Sequence, residues 1–226
     1  MPGDQLSLSV NQHEQFNFNG VNFNLGVLWQ LAPNFTLGAV VKTPFTADMT
    51  HTVTHSSSGS FGDFTVADSN NETLKMPWSY GIGLAYRYSD RFTVAADLYR
   101  TEWSKFTLTG ADGIERSPLS GKPRAATERI QDTLWVRLGG EYLLLSDDFV
   151  IPLRAGVFYD PAPAEGGKDD FYGFSCGSGL GWRNFIFDVA YQYRMGQDVG
   201  KNGLAHLQFS QDVIEQRVYA SLIIHL

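Results

Sequence analysis

Eight charged side chains fall in one alternation phase of segments whose other phase is apolar: Lys42, Arg87, Asp97, Arg137, Glu141, Arg154, Asp188 and Arg217. In a strand, residues two apart share a face, so these groups would project together, away from the apolar side. Inward-facing guanidinium groups could hold a carboxylate through paired hydrogen bonds. The competing chemistry is mutual neutralisation, a salt-bridge network that fills a narrow interior. Arg137 and Arg154 fall on neighbouring segments at similar depth, and Glu141 could neutralise one of them, which favours the network over ligand contact.

Other candidate chemistry is sparse. His51 and His55 are four apart, but they lie in a Ser/Thr-rich stretch where helical metal-ligand spacing has no meaning, so no metal site is expected. His206 with Asp198 or Asp212 could suggest a hydrolase carrying His and Asp at strand tips, yet no motif fixes a serine or a water-activating partner. The glycines of Gly177–Gly181 sit inside a strand pattern with no helix to follow, so they let large neighbours pack or the sheet bend and do not cradle phosphate. Cys176 is the single cysteine and reads as a small apolar side chain on a strand. The net charge of −7 supplies no basic stripe for nucleic acid, and no cofactor is called for.

The elements that would carry these groups are strands. Aromatics make up 14% of the 226 residues and glycines number 23, while runs of helix formers are scarce. No stretch approaches the roughly 20 apolar residues of a membrane helix, which leaves barrels open, because barrel strands show lipid only every second residue. Strict alternation recurs, as in Val21, Phe23, Leu25, Val27, Trp29 and Leu31, in Tyr80, Ile82, Leu84 and Tyr86, and in Phe185, Phe187, Val189 and Tyr191. Short turns at Ala32–Asn34, Ser89–Arg91, Ser146–Asp148 and Arg183–Asn184 alternate with long polar connections near Thr46–Thr73, Lys105–Glu128, Pro161–Asp169 and Gly196–Gln211. A soluble sandwich has no reason to put every short turn at one end; an outer-membrane barrel does. Trp29, Tyr86, Tyr88 and Tyr142 lie close to the short turns, and Trp78, Tyr80, Tyr159, Tyr172, Tyr191 and Tyr193 toward the opposite ends, as two interfacial belts require. Counting from Val21 gives nine strands. A further one within Leu6–Phe18, joined through an Asn19-Gly20 turn, would make about ten, an even number. Arg100 is a misfit, in phase with the lipid face, where only a rim position or a bulge would excuse it.

The stretch MPWSYGIGLAYRYSDRFTVAADLYRTEWSKF (Met76–Phe106) resembles the outer-membrane long-chain fatty acid and aromatic hydrocarbon transporters of the FadL/TodX type. The resemblance lies in a strand opening Pro-x-Ser-Tyr, a short Asp-Arg turn, and a strand ending near Glu-Trp-Ser. DTLWVRLGGEYLL (Asp132–Leu144) and LRAGVFYDPAP (Leu153–Pro163) are similar to two later strands of that family, and the likeness runs from about Val21 onward. It implies a fourteen-stranded barrel plugged by an N-terminal hatch, which binds hydrophobic molecules in its lumen and releases them laterally. Against that pattern the hatch, a signal peptide and the first strands are expected to be absent, so the chain corresponds to the C-terminal part of the barrel or to a shortened relative. Leu226 also departs from the terminal aromatic usual in barrel insertion signals.

The expectation is therefore an all-β, antiparallel up-and-down transmembrane β-barrel of about ten strands, a single domain over residues 1–226, multi-pass in the outer membrane. It would pass hydrophobic compounds, long-chain fatty acids or alkylbenzenes, by passive diffusion through the lumen, in contact with outer-membrane lipids. Three other readings fit parts of the pattern: a structural or adhesive barrel without a ligand path, an outer-membrane hydrolase, and a soluble β-sandwich.

Overall fold

A computed structural model describes residues 8–60, 62–202 and 209–225. It divides into two compact units, one of residues 1–22, 44–76 and 105–127, the other of residues 23–43, 77–104 and 128–226. The smaller unit is a five-stranded antiparallel sheet in the order β1 (Leu8–Asn19), β4 (Phe45–Gly59), β5 (Phe64–Met76), β8 (Thr107–Thr109) and β9 (Glu115–Arg116). The larger is a nine-stranded antiparallel sheet made of β2 (Asn24–Ala32), β3 (Phe35–Lys42), β6 (Ser79–Arg87), β7 (Phe92–Thr101), β10 (Thr133–Leu145), β11 (Phe149–Tyr159), β12 (Phe171–Trp182), β13 (Phe185–Val199) and β14 (Gln211–Ile224). Its spatial order follows the chain from β14 back to β2, with every neighbour antiparallel. This is the up-and-down strand order of a membrane β-barrel.

The nine strands counted from Val21 are thus present, while the expected tenth is elsewhere. Strand β1 does not turn back through Asn19-Gly20 onto β2; it pairs with β4 over its whole length, from Leu8 opposite Gly59 to Asn19 opposite Asp48. Gly20 permits the change of course, because a Cβ there would meet Phe45 and Ala47 at 3.0 Å. The stretch Thr46–Thr73, expected as a loop, forms the β4–β5 hairpin instead. Its stability comes from polar cross-strand pairs such as Thr50 with Asn71 at 3.2 Å and Thr52 with Ser69 at 3.1 Å. Such a ladder carries no apolar alternation and so is silent to periodicity.

Register fixes the two faces of the large sheet. One row runs Leu28, Gly38, Gly83, Asp97, Arg137, Phe158, Gly173, Arg194 and Glu215. The adjacent row, on the opposite face, runs Val27, Ala39, Ile82, Leu98, Val136, Tyr159, Tyr172, Met195 and Ile214. The apolar face is bare of protein cover: Leu25 is 65% exposed, Val27 61%, Val157 57% and Val218 72%. Among the described residues the buried apolar side chains are Ala47, Ile130, Ala164 and Phe171 with the prolines Pro77, Pro152 and Pro161, too few for the core of a soluble sandwich. In water each such exposed side chain would forgo about 1.5–3 kcal/mol of burial, so the solvent of this face must itself be hydrocarbon.

The strand ends match the expected asymmetry. Two-residue turns, Pro33-Asn34 and Arg183-Asn184, join β2 to β3 and β12 to β13, the second with Arg183 at φ 50°. Tyr88–Arg91 and Ser146–Asp148 close the other two hairpins at the same end. At the far end the connections are long, and there a small packed cluster forms around Ile130, Pro161 and Thr133. Arg100 lies one residue from the end of β7 on this side, and its Nη2 donates to Asp132 Oδ2 at 2.9 Å. The rim position excuses the charge.

An alternating sheet of nine strands has edges that point the same way, so β2 and β14 run parallel. Among the described residues neither has a partner on its outer side. Closure with antiparallel pairs throughout therefore requires an odd number of further strands. Left open in hydrocarbon, the two edges would expose polar backbone groups at several kcal/mol each, by order of magnitude.

Candidate functional site

All eight charged candidates lie on the polar face of the large sheet, but they do not form one site. Glu141, Arg154 and Asp188 come together: Arg154 Nε donates to Glu141 Oε2 at 2.6 Å and its Nη1 to Asp188 Oδ1 at 2.5 Å. Glu141 and Arg154 are directly opposed on β10 and β11, whereas Asp188 is two strands away on β13. The arginine can reach it because the intervening strand offers Gly177 and Gly179 on this face. A Cβ at Gly179 would meet Asp188 Oδ1 at 2.4 Å. These glycines make room for a side-chain bridge across the sheet, one of the two roles expected of Gly177–Gly181.

Asp97 and Arg137 are directly opposed on β7 and β10, yet they do not pair. Asp97 swings the other way, over Gly83 of β6, where a Cβ would meet its Oδ1 at 2.2 Å. Arg137 instead places its guanidinium carbon 5.1 Å from the centroid of the Trp135 ring. Lys42 stands at the long-connection end in a row with Asn24 and Ser79, and Arg87 at the short-turn end opposite Thr93. Arg217 is on the edge strand, with Nη2 donating to Glu215 Oε2 at 2.9 Å.

Beside Asp97 and Arg137 the polar face opens into a cleft of about 820 Å³ over β2, β3, β6, β7 and β10. Four glycines, Gly26, Gly38, Gly81 and Gly83, remove side chains from its floor, and Leu28, Val40, Tyr99 and Trp135 give it apolar walls. Tyr99 and Trp135 are in contact, with ring centroids 5.6 Å apart and planes inclined at 41°. The Trp135 indole N–H donates to the Pro161 carbonyl at 3.2 Å, which anchors the ring to the long connection after β11. The result is an apolar trough with a cation at one side, a shape suited to a hydrophobic molecule with or without a polar head.

The charge phase in the sequence leads to Asp97 and Arg137 but misses Tyr99 and Trp135. The overlooked signal is a large aromatic in the phase otherwise held by glycine and charge, where no core exists to bury it. Arg194 is a second omission. It spans Asp160 at 3.2 Å and Glu215 at 3.1 Å and lies over the Phe171 ring, a structural clamp at the long-connection end.

The remaining candidates gather no chemistry. His51 is on β4, stacked on Phe16 with centroids 4.2 Å apart and 3.4 Å from Glu14. Among the described residues no group of three His, Cys, Asp or Glu side chains is arranged to hold a metal. His206 lies outside the described residues, as do Leu6 and Leu226. Asp132, just before β10 at the rim of the large sheet, has a clearly perturbed carboxyl. Burial works against its ionisation, but hydrogen bonds from Ser104 and from Arg100 outweigh this and hold its carboxyl below the ordinary range.

Residues 4–222 match the family of outer membrane protein transport proteins, OMPP1/FadL/TodX. The chain belongs to this family. Solved structures similar to it include the CymD monoaromatic hydrocarbon channel, with 20% identity and a TM-score of 0.52 over 88% of this chain and 49% of that one. The TodX deltaS2S3 mutant monoaromatic hydrocarbon channel is similar at 19% identity and a TM-score of 0.50, over 88% of this chain and 48% of that one. A Pseudomonas aeruginosa FadL homologue shares 14% identity with a TM-score of 0.48, over 97% of this chain and 73% of that one. At such identities the likeness is one of fold, and the chain spans about half the length of the CymD and TodX structures. No curated protein sequence matches it. As a FadL/TodX-type β-barrel protein it belongs to the outer membrane, in a family of transport proteins and not of enzymes.

Proposed function

We propose that this FadL/TodX-type chain forms part of the lumen wall of an outer-membrane channel through which hydrophobic compounds, alkylbenzenes or long-chain fatty acids, diffuse passively. The observation that carries the proposal is the glycine-floored cleft of about 820 Å³ on the polar face, walled by Leu28, Val40, Tyr99 and Trp135. Its size is in the range of small-molecule sites, and apolar walls take an apolar solute out of water without any energy source. Of the eight charged residues, Arg137 and Asp97 line this cleft, which supports them as the ligand contacts. Arg137 is stacked rather than ion-paired, so its donors are available to a carboxylate head. Glu141, Arg154 and Asp188 satisfy one another and brace the wall. Lys42, Arg87 and Arg217 lie outside the cleft lining.

The test is calorimetric titration of the protein, extracted from outer membranes into detergent, with an alkylbenzene and with a long-chain fatty acid. Saturable binding that weakens about tenfold or more in Trp135→Ala supports the reading. If neither compound binds saturably, or if Trp135→Ala and Gly38→Leu bind as the unaltered protein does, the cleft is not the site.

A further inference from the structure

We propose that Arg100 anchors a phosphate-bearing lipid of the outer leaflet against the outside of the sheet. Within the paired rows from Tyr80 to Ile224, Arg100 is the one ionisable Lys, Arg, Asp or Glu side chain on the apolar face. It sits in the row Tyr80–Arg100–Leu134, next to the end of β7 where the long connections begin. Long connections of such barrels face the cell exterior, which places this row at the outer leaflet. Exposed Trp78 and Tyr80 flank it, residues of the belt that marks headgroup depth.

The chemistry follows from the donor count. A guanidinium carries five N–H donors in a fixed fork. At Arg100 the Nη2 group donates to Asp132 Oδ2, and Asp132 is itself held by the Ser104 backbone N–H at 2.9 Å. That contact fixes the arm without filling it, since it uses Nη2 alone and the side chain stays 47% exposed. Beside hydrocarbon those donors need acceptors, and the strongest acceptor at headgroup depth is a lipid phosphate, which Arg recognises bidentately. Asp132 and Glu102 lower the local positive charge, so the contact is a directed hydrogen-bonded one and not a diffuse attraction.

The protein extracted into a phosphate-free maltoside detergent would be titrated with lipid A and, in parallel, with a phosphate-free glycolipid, and adducts counted by native mass spectrometry. Lipid A is expected to bind preferentially and to lose about tenfold in affinity in Arg100→Gln, the scale of one charge-assisted hydrogen bond, with Arg100→Lys intermediate. Asp132→Asn, which leaves Arg100 in place and removes the neighbouring negative charge, is expected to bind lipid A more tightly. The proposal is overturned if Arg100→Gln binds lipid A as well as the unaltered protein, or if Asp132→Asn binds it no more tightly. Equal binding of the phosphate-free glycolipid overturns it too. Millimolar inorganic phosphate that binds in place of lipid A would show a free-anion site and would likewise overturn the lipid assignment.

Discussion

Arg154 and Arg137 lie one strand apart on the same face, and replacing each by glutamine should have opposite consequences. Arg154 makes two short charge-assisted bonds, to Glu141 and to Asp188, so its loss leaves two carboxylates facing each other across glycines. Its side chain is 45% exposed, which puts the triad between a screened surface pair, worth about 0–1 kcal/mol, and a buried one, where breaking a partner costs about 3–5 kcal/mol. We expect Arg154→Gln to lower unfolding stability by about 1–2 kcal/mol and to leave ligand affinity within about twofold. Arg137 has no ion pair to lose, only its contact over Trp135, so Arg137→Gln should lower stability by no more than about 0.5–1 kcal/mol. Its effect should appear in binding of a fatty acid carboxylate, about tenfold weaker, with alkylbenzene binding nearly unchanged. Urea unfolding in lipid vesicles, followed by tryptophan emission, reads the first quantity, and calorimetric titration the second. Equal destabilisation by the two substitutions, or loss of fatty acid binding in Arg154→Gln alone, would refute the division into a bracing triad and a ligand-facing arginine.

Gly38→Leu should fill the cleft while the fold survives, because a Cβ at Gly38 meets nothing closer than Leu28 at 3.7 Å; binding of both ligand classes should fall about tenfold by titration. Leu138→Arg, in mid-strand on the apolar face, should cost about 2–4 kcal/mol in vesicle unfolding, far more than the polar-face change at Arg137 beside it. Asp132 has a depressed folded-state pKa, so its stabilising contribution is complete above its unfolded value of about 3.9 and is lost as pH falls through the lower folded value. Melting curves from pH 6 down to pH 2 should therefore show an acid-dependent loss at the low end that is smaller in Asp132→Asn.

Much of the architecture is legible in the sequence because a membrane barrel obeys a strict rule: each strand residue faces either lipid or interior. The apolar phase of β2, β6, β10 and β13 and the four short turns follow from it. The rule fails for β1, β4 and β5, where stretches such as the half-buried His51–Ser58 pair through threonine, serine and asparagine and have no apolar alternation to announce them. Asn19-Gly20 reads locally as a hairpin turn, but the 12-residue pairing of β1 with β4 overrides that local preference. The candidate site is legible as a face and not as a cluster. Alternation tells which charges share a side; which of them touch depends on bare glycines at 83, 177 and 179 on neighbouring strands, and that needs the register.

The division into a lipid face and a lumen face underlies every assignment above, and the single thiol of Cys176 tests it. It lies on the apolar face in the row Ala155–Cys176–Tyr191, while the neighbouring Ser175 lies on the polar face in the row Gly156–Ser175–Gln192. The measurement is the rate at which Cys176 reacts, in outer-membrane vesicles, with a charged water-soluble thiol reagent and with a membrane-dissolved maleimide. The expected result is that the charged reagent spares Cys176, which only the membrane-dissolved maleimide reaches, and that both reagents label the thiol once it is moved by one residue in the Ser175→Cys, Cys176→Ser protein. Fast labelling of Cys176 by the charged reagent, with Ser175→Cys protected from it, would mean that the faces are inverted and that the cleft is not a lumen wall.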